Sequence, residues 1–177
     1  MIDFIMSSVR PSITEYYFSR GERIDVEWYE AGLLPDLPYQ QVYAIALDQF
    51  TGEAIAVTYD TGDPPNLPGG KIEPGESVES ALRREIREEL NAETVEYIPL
   101  GYQHLSSQAG LCANQVRVAA RVRFLGPFRG DTGGAVSGHV RCDLANLNSL
   151  INYGLIGERL VALTRIADSG WRTERAA

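Results

Sequence analysis

Lysine is almost missing: of 16 basic residues 15 are arginine, and Lys71 stands alone. Against them are 24 Asp and Glu, so the formal charge is −8, which excludes non-specific capture of a nucleic-acid polymer on a basic surface. Any anionic ligand must be held by a local device. The arginine bias would suit planar phosphate-binding forks, although genomic composition is the simpler explanation. Cysteine is equally sparse. Cys112 and Cys142 lie far apart without a paired-cysteine metal spacing, a pattern of ordinary buried thiols in a reducing compartment rather than of a disulfide framework. No apolar run outlasts Val42 to Leu47, far short of the roughly 18 residues that a membrane-spanning helix needs. The first ten residues carry Asp3 and no sustained apolar run, so no secretion signal is expected and cytoplasm is the expected location.

No internal repeat and no low-complexity stretch interrupts the chain. Its 177 residues, 44% apolar and 23% charged, therefore suit a single domain spanning 1–177. Thr14 to Phe18 and Ile24 to Tyr29 flank a polar Ser19-Arg20-Gly21-Glu22 stretch and read as a hairpin. Its aromatics Tyr16, Tyr17, Phe18, Trp28 and Tyr29 could stack on a nucleobase, pack against a second copy in a homodimer, or fill core. Gln41 to Asp48 and Glu53 to Tyr59 form a second hairpin through Thr51-Gly52. The segment Thr61 to Gly75, with four Pro and four Gly, reads as an irregular, stiff binding loop. Ser77 to Leu90 follows as a helix, with Ser77 as N-cap, Glu79 in the first turn and Asn91 as a left-handed stop. Val95 to Ser106 and Gln115 to Phe124 read as strands. In the second, Val116, Val118, Ala120, Val122 and Phe124 share one face, and Arg117, Arg121 and Arg123 the other. Phe128 to Gly138 reads as a mobile glycine-rich loop, and Leu144 to Ala167 as terminal helix with interruptions at Gly154 and Gly157. Strands around a central helix with a second helix at the end indicate a mixed α/β architecture.

The central helix carries the sharpest chemical signal. With Glu85 at zero on a helical wheel, Glu89 falls at about 40° and Glu88 at about 300°, so three carboxylates crowd one arc. Val78, Leu82, Ile86 and Leu90 occupy an overlapping arc, so these acids border the core instead of opposing it. At a spacing of about 4 Å and an effective dielectric near 20, two such charges repel by roughly 4 kcal/mol. Arg84 and Arg87 are partial partners, but oxygen ligands packed this closely suit a hard divalent cation. A solvated acidic helix face is the alternative. Just before the helix, Leu67-Pro68-Gly69-Gly70-Lys71 lets backbone approach a ligand, although a Gly-Gly pair beside Pro is more often a mere turn.

Taken together, Gly70, five residues, Glu76, seven residues, and then Arg84-Glu85-Ile86-Arg87-Glu88-Glu89-Leu90-Asn91-Ala92 resembles the Nudix box, G-x5-E-x7-R-E-U-x-E-E-x-G-U. The match covers 23 of 177 residues and departs at its end, where Asn91 replaces a glycine and Ala92 a bulkier aliphatic. The resemblance implies an α/β/α sandwich with a mixed β-sheet, its core at residues 39–167, preceded by an extra N-terminal hairpin in residues 1–38. It implies that Glu85, Glu88 and Glu89 hold Mg2+, or Mn2+ as a substitute, with the Gly69 carbonyl as a further ligand. Arg84 would orient a catalytic carboxylate, Glu85 is the candidate base, and Gly70 and Glu76 would shape the loop.

The activity implied is metal-dependent hydrolysis of a nucleoside diphosphate linked to another moiety, a nucleotide-sugar or ADP-ribose-like small molecule. Two alternatives stay open: a non-catalytic nucleotide-binding module, and a nucleoside triphosphate pyrophosphohydrolase. Many Nudix enzymes use one more glutamate beyond the box, yet no Glu stands between Glu96 and Glu158. Asp131, His139 or Asp143 could substitute, although a lone loop aspartate is usually a turn residue and His104 and His139 are ordinary structural positions. Arg117, Arg121, Arg123 and Asp131 are the candidate substrate contacts, with a solvated strand face as the alternative for the arginines.

Overall fold

The computed structural model describes residues 10–131 and 134–176, so the expected lack of a leader falls largely outside the described residues. The sheet runs β1(Ile13–Ser19), β2(Glu22–Glu30), β6(Ala92–Ser107), β7(Cys112–Phe124), β3(Gln41–Asp48), β4(Ala54–Tyr59) and β8(Val136–Cys142) from edge to edge, with β5(Gly69–Lys71) paired to β3. The β3–β7 pair is parallel and the other pairs antiparallel, which makes the sheet mixed, and it does not close. Helix α1(Val78–Leu90) covers one face. The short α2(Leu147–Ile151) and long α3(Gly154–Ala176) cover the other, giving the expected α/β/α sandwich.

Both hairpins form where turn chemistry placed them. Arg20 and Gly21 take the positive φ angles that a tight two-residue connection demands, and Gly52 does the same between β3 and β4. Strand β3 is buried along most of its length, as befits a strand covered on both faces. It pairs with β4 only at Ala46 and Leu47. At the other end its Gln41, Val42 and Tyr43 pair with β5 instead, so β4 diverges and the sheet opens beside the glycine pair.

Several expectations need correction. The proline- and glycine-rich loop is not wholly irregular: β5 lies within it, and Asn66 bridges to Val57. Strands β6 and β7 start earlier than pattern suggested, because a long antiparallel pairing carries non-alternating residues such as Glu93 and Ala113 into the ladder. The terminal helix is interrupted at Gly154 as expected, the break running from Asn152, with φ 54, to Gly154, with φ 56, but Gly157 lies inside α3. That helix continues past Ala167, where Trp171 still packs in the core, so residues 39–167 stop short of the folded unit. Phe128 to Gly138 gives its last residues to β8, and Thr132 and Gly133 lie outside the described residues. Cys112 is exposed rather than buried, Cys142 is half-buried, and both thiols are free. None of the described helices is long and apolar enough to cross a membrane.

Candidate active site

Helix α1 begins as its sequence dictates: the Ser77 hydroxyl accepts the Ser80 amide at 3.1 Å, and Glu79 sits beside the N-terminal dipole. It ends at Asn91, whose φ of 49 supplies the left-handed turn usually given by glycine, and whose amide donates to Pro127 O at 2.8 Å. This is why asparagine can stand there. Between the caps, Leu82, Ile86 and Leu90 bury themselves against the sheet and carry Glu89 down with them, leaving that carboxylate 8% exposed.

The glycine pair meets the helix at the carboxylates. The Gly69 amide donates to Glu89 Oε2 at 2.7 Å. Gly69 has φ 141, and a Cβ there would lie 2.2 Å from Val42 O, so only glycine fits between β3 and the helix. At Gly70 a Cβ would come within 2.5 Å of Glu85 Oε1. Arg84 organises the rest: it donates to both oxygens of Glu76, to Lys71 O, to Glu85 Oε1 at 2.8 Å and to Glu88 Oε2 at 3.3 Å. One planar fork thus joins loop and helix, which a lysine could not do.

Electrostatics separate these acids. The Arg84 hydrogen bonds hold Glu76 below the usual carboxylate range and raise the guanidinium in return. Burial pushes Glu85 up against the opposing pull of Arg84. Burial also pushes Glu89 up to about 8, opposed by the Gly69 amide and reinforced by Glu85, Asp131 and Glu88. Glu89 therefore sits among like charges, and no Arg, Lys or His among the described residues forms an ion pair with it.

A divalent cation fits this donor set, because it would supply the positive charge that the buried carboxylate lacks. Among the described residues no three acids are gathered as a ready metal cage. Glu85 and Glu88 are turned onto Arg84, and Glu89 onto the Gly69 amide.

Asp131, on the loop between β7 and β8, acts electrostatically on both Glu85 and Glu89 and so joins their neighbourhood. His139 packs on Phe124 and burial lowers its pKa, His104 pairs with Asn114, and Asp143 precedes the short 3₁₀ helix Leu144–Asn146.

The three strand arginines part company. Their face is not solvated: Arg117 and Arg121 are buried, because α3 and the hairpin cover it. Arg121 pairs with Glu96 and lies near the Trp171 ring, and Arg123 pairs with Glu93 at the surface. Neither lines the large cavity on this face. Arg117 does, together with Tyr17, Tyr43, Asn66, Gln103, Gln115 and Tyr153, in a space of about 740 Å³. Burial lowers the Arg117 pKa, and it pushes Tyr43 up to about 12. Tyr43 links the two regions, since it pairs with Gly69 on one side and with Arg117 on the other. The cavity was not visible in the sequence because its walls come from distant segments, although polar Gln115 and Arg117 flanking apolar Val116 were a signal.

Solved structures similar to this chain include Nudix and other nucleotide hydrolases. A Bacillus subtilis pyrophosphohydrolase matches with TM-score 0.63 and 20% identity, over 84% of this chain and 93% of that one. A NUDIX hydrolase from Nitrosomonas europaea matches with TM-score 0.57 and 19% identity, over 74% and 90%. The C. elegans Ap4A hydrolase matches with TM-score 0.51 and 16% identity, over 74% and 99%. At these identities the likeness is one of fold. No curated protein matches the chain. The NUDIX domain family matches residues 38–138, more than half of the chain, and with the box geometry above this makes the chain a member of that family.

Proposed function

We propose that the protein hydrolyses the diphosphate linkage of a nucleoside diphosphate joined to a further moiety, a nucleotide-sugar or ADP-ribose-like molecule, with Mg2+ as cofactor and Mn2+ as substitute. The observation that carries this reading is the meeting of Glu89 with the Gly69 amide and of Glu85 with Gly70, with Glu88 held to the same Arg84 fork, one strand away from a large polar and aromatic cavity. The products would be a nucleoside monophosphate and a phosphorylated remainder.

Glu85, Glu88, Glu89 and the Gly69 carbonyl would hold the cation. When bound, it supplies the charge that draws a diphosphate to a protein of charge −8 and acidifies water. The chain's own residues do the rest. Arg84 takes Glu85 Oε1, which leaves Oε2 as the atom that accepts the proton of the attacking water. Glu76 anchors the Arg84 fork and so fixes the angle of Glu85. Asp131 adds negative charge on the loop side. The cavity holds the part of the substrate remote from the scissile bond, with tyrosine rings for stacking.

A panel of diphosphate-linked and triphosphate nucleotides, assayed with and without Mg2+ beside Glu89→Gln, tests this. The expected result is metal-dependent release of a nucleoside monophosphate, lost in the variant. Pyrophosphate release from triphosphates alone, or equal rates in wild type and variant, would overturn it.

A further inference from the structure

Arg117 is 2% exposed, and its hydrogen-bond acceptors are all neutral: Gln103 Oε1, Gln115 Oε1 at 2.8 Å and a long contact to Val116 O at 3.4 Å. Its Nε is buried with no partner at all. The guanidinium carbon lies 4.7 Å from the Tyr43 ring centre and 5.9 Å from that of Tyr153, so aromatic faces support the cation without neutralising it. No Asp or Glu among the described residues forms an ion pair with it. Glu15 lines the same cavity, but its carboxylate accepts the Leu155 and Ile156 amides at 2.8 and 3.2 Å and thus caps α3.

A guanidinium taken out of water without a counter-charge is a standing cost to the fold. A core position would be filled more stably by an apolar side chain, and a neutral ligand group would leave the charge unbalanced. An anionic group in the cavity balances it. Position sets which anion. Gly69, Tyr43 and Arg117 are cross-strand partners on β5, β3 and β7, so Arg117 stands two strand spacings, about 10 Å, from the glycine that touches Glu89. Arg117 lines the cavity with Tyr43 on the α3 face of the sheet, whereas the carboxylates stand on α1, which covers the other face, so the two serve different parts of a molecule long enough to reach both.

We propose that Arg117 is a specificity-determining residue that receives a second anionic group, a phosphate carried by the substrate away from its scissile diphosphate. This rests on the hydrolase reading above and narrows the substrate class to diphosphates bearing a remote phosphate. Gln103 and Gln115 hold the fork, Tyr43 and Tyr153 wall it, and the cavity is large enough for the nucleoside between the two phosphate sites.

Two substrate pairs that differ by one remote phosphate provide the test: NAD with NADP, and dephospho-coenzyme A with coenzyme A. They separate a 2′- from a 3′-phosphate. With Mg2+, wild type is expected to show kcat/KM at least about tenfold higher for the phosphorylated member of one pair, mainly through KM. Arg117→Gln abolishes that preference and Arg117→Lys restores part of it, which a merely structural arginine would not do. The wild-type preference is read without any variant, so a misfolded variant does not remove the test. No preference in either pair, or a preference intact in Arg117→Gln, overturns the proposal.

If no diphosphate is hydrolysed, the hydrolase reading has failed separately. The cavity is then judged by calorimetry in EDTA with AMP and adenosine 2′,5′- and 3′,5′-bisphosphates. Tighter binding of a bisphosphate by wild type than by Arg117→Gln sustains the anion site, and equal binding refutes it.

Discussion

Replacing Glu89 with glutamine should change how the metal-free protein responds to pH, and the size of the change follows from the site. Glu89 is 8% exposed and its carboxyl is pushed up to about 8, against an ordinary value of 4.5 in the unfolded chain. Between those values the folded protein holds a proton that the unfolded chain has released. The associated stability is fully present below about 4.5 and is lost as pH rises through about 8. Linkage gives about 1.4 kcal/mol per pH unit within that window, so going from about pH 5 to about pH 7 costs wild type about 2.5 kcal/mol. Glutamine cannot ionise and still offers an oxygen to the Gly69 amide, so the variant lacks this loss. Urea unfolding in EDTA at several pH values, wild type beside Glu89→Gln, measures the difference. Saturating Mg2+ should remove it from wild type by replacing the proton with a cation. Parallel pH profiles of the two proteins in EDTA would refute the reasoning.

Arg84→Lys keeps the charge but cannot span Glu76, Lys71 O, Glu85 and Glu88, so kcat with Mg2+ should fall roughly 10- to 100-fold; an unchanged kcat would deny Arg84 its positioning role. Gly69→Ala drives a Cβ into the Val42 carbonyl and should lower stability by roughly 3 kcal/mol or more in urea titration. Gly70→Ala meets only the flexible end of Glu85, so it should keep most of the stability while losing metal-dependent turnover. Asn91→Ala strains a residue at φ 49 and removes the bond to Pro127 O, at a cost of about 2 kcal/mol, whereas Asn91→Gly loses only the bond and should cost about half as much.

The helix and its caps were legible because their causes are local. Ser77, the apolar spacing and Asn91 act within one turn of their own positions, and the wheel that joined three glutamates also placed Glu89 at the edge of the core. Strand alternation likewise separated Val116 and Val118 from Arg117 and Arg121 correctly. It could not tell whether the arginine face meets solvent, since that depends on α3 and the hairpin folding back over it. β5 was hidden because a glycine-rich triplet has no strand pattern of its own and pairs only where β4 diverges from β3. The cavity was hidden for a similar reason: Tyr17, Asn66 and Tyr153 meet only in the folded chain.

The central claim is that Glu85, Glu88 and Glu89 accept their crowding because a divalent cation lies among them. Electron paramagnetic resonance of Mn2+ titrated into the protein reads this directly, since bound ion loses the free-ion signal. Wild type should deplete the signal stoichiometrically, and a protein carrying Glu85→Gln and Glu89→Gln should leave it near the buffer value. Equal depletion by both proteins, or none by wild type, would contradict it.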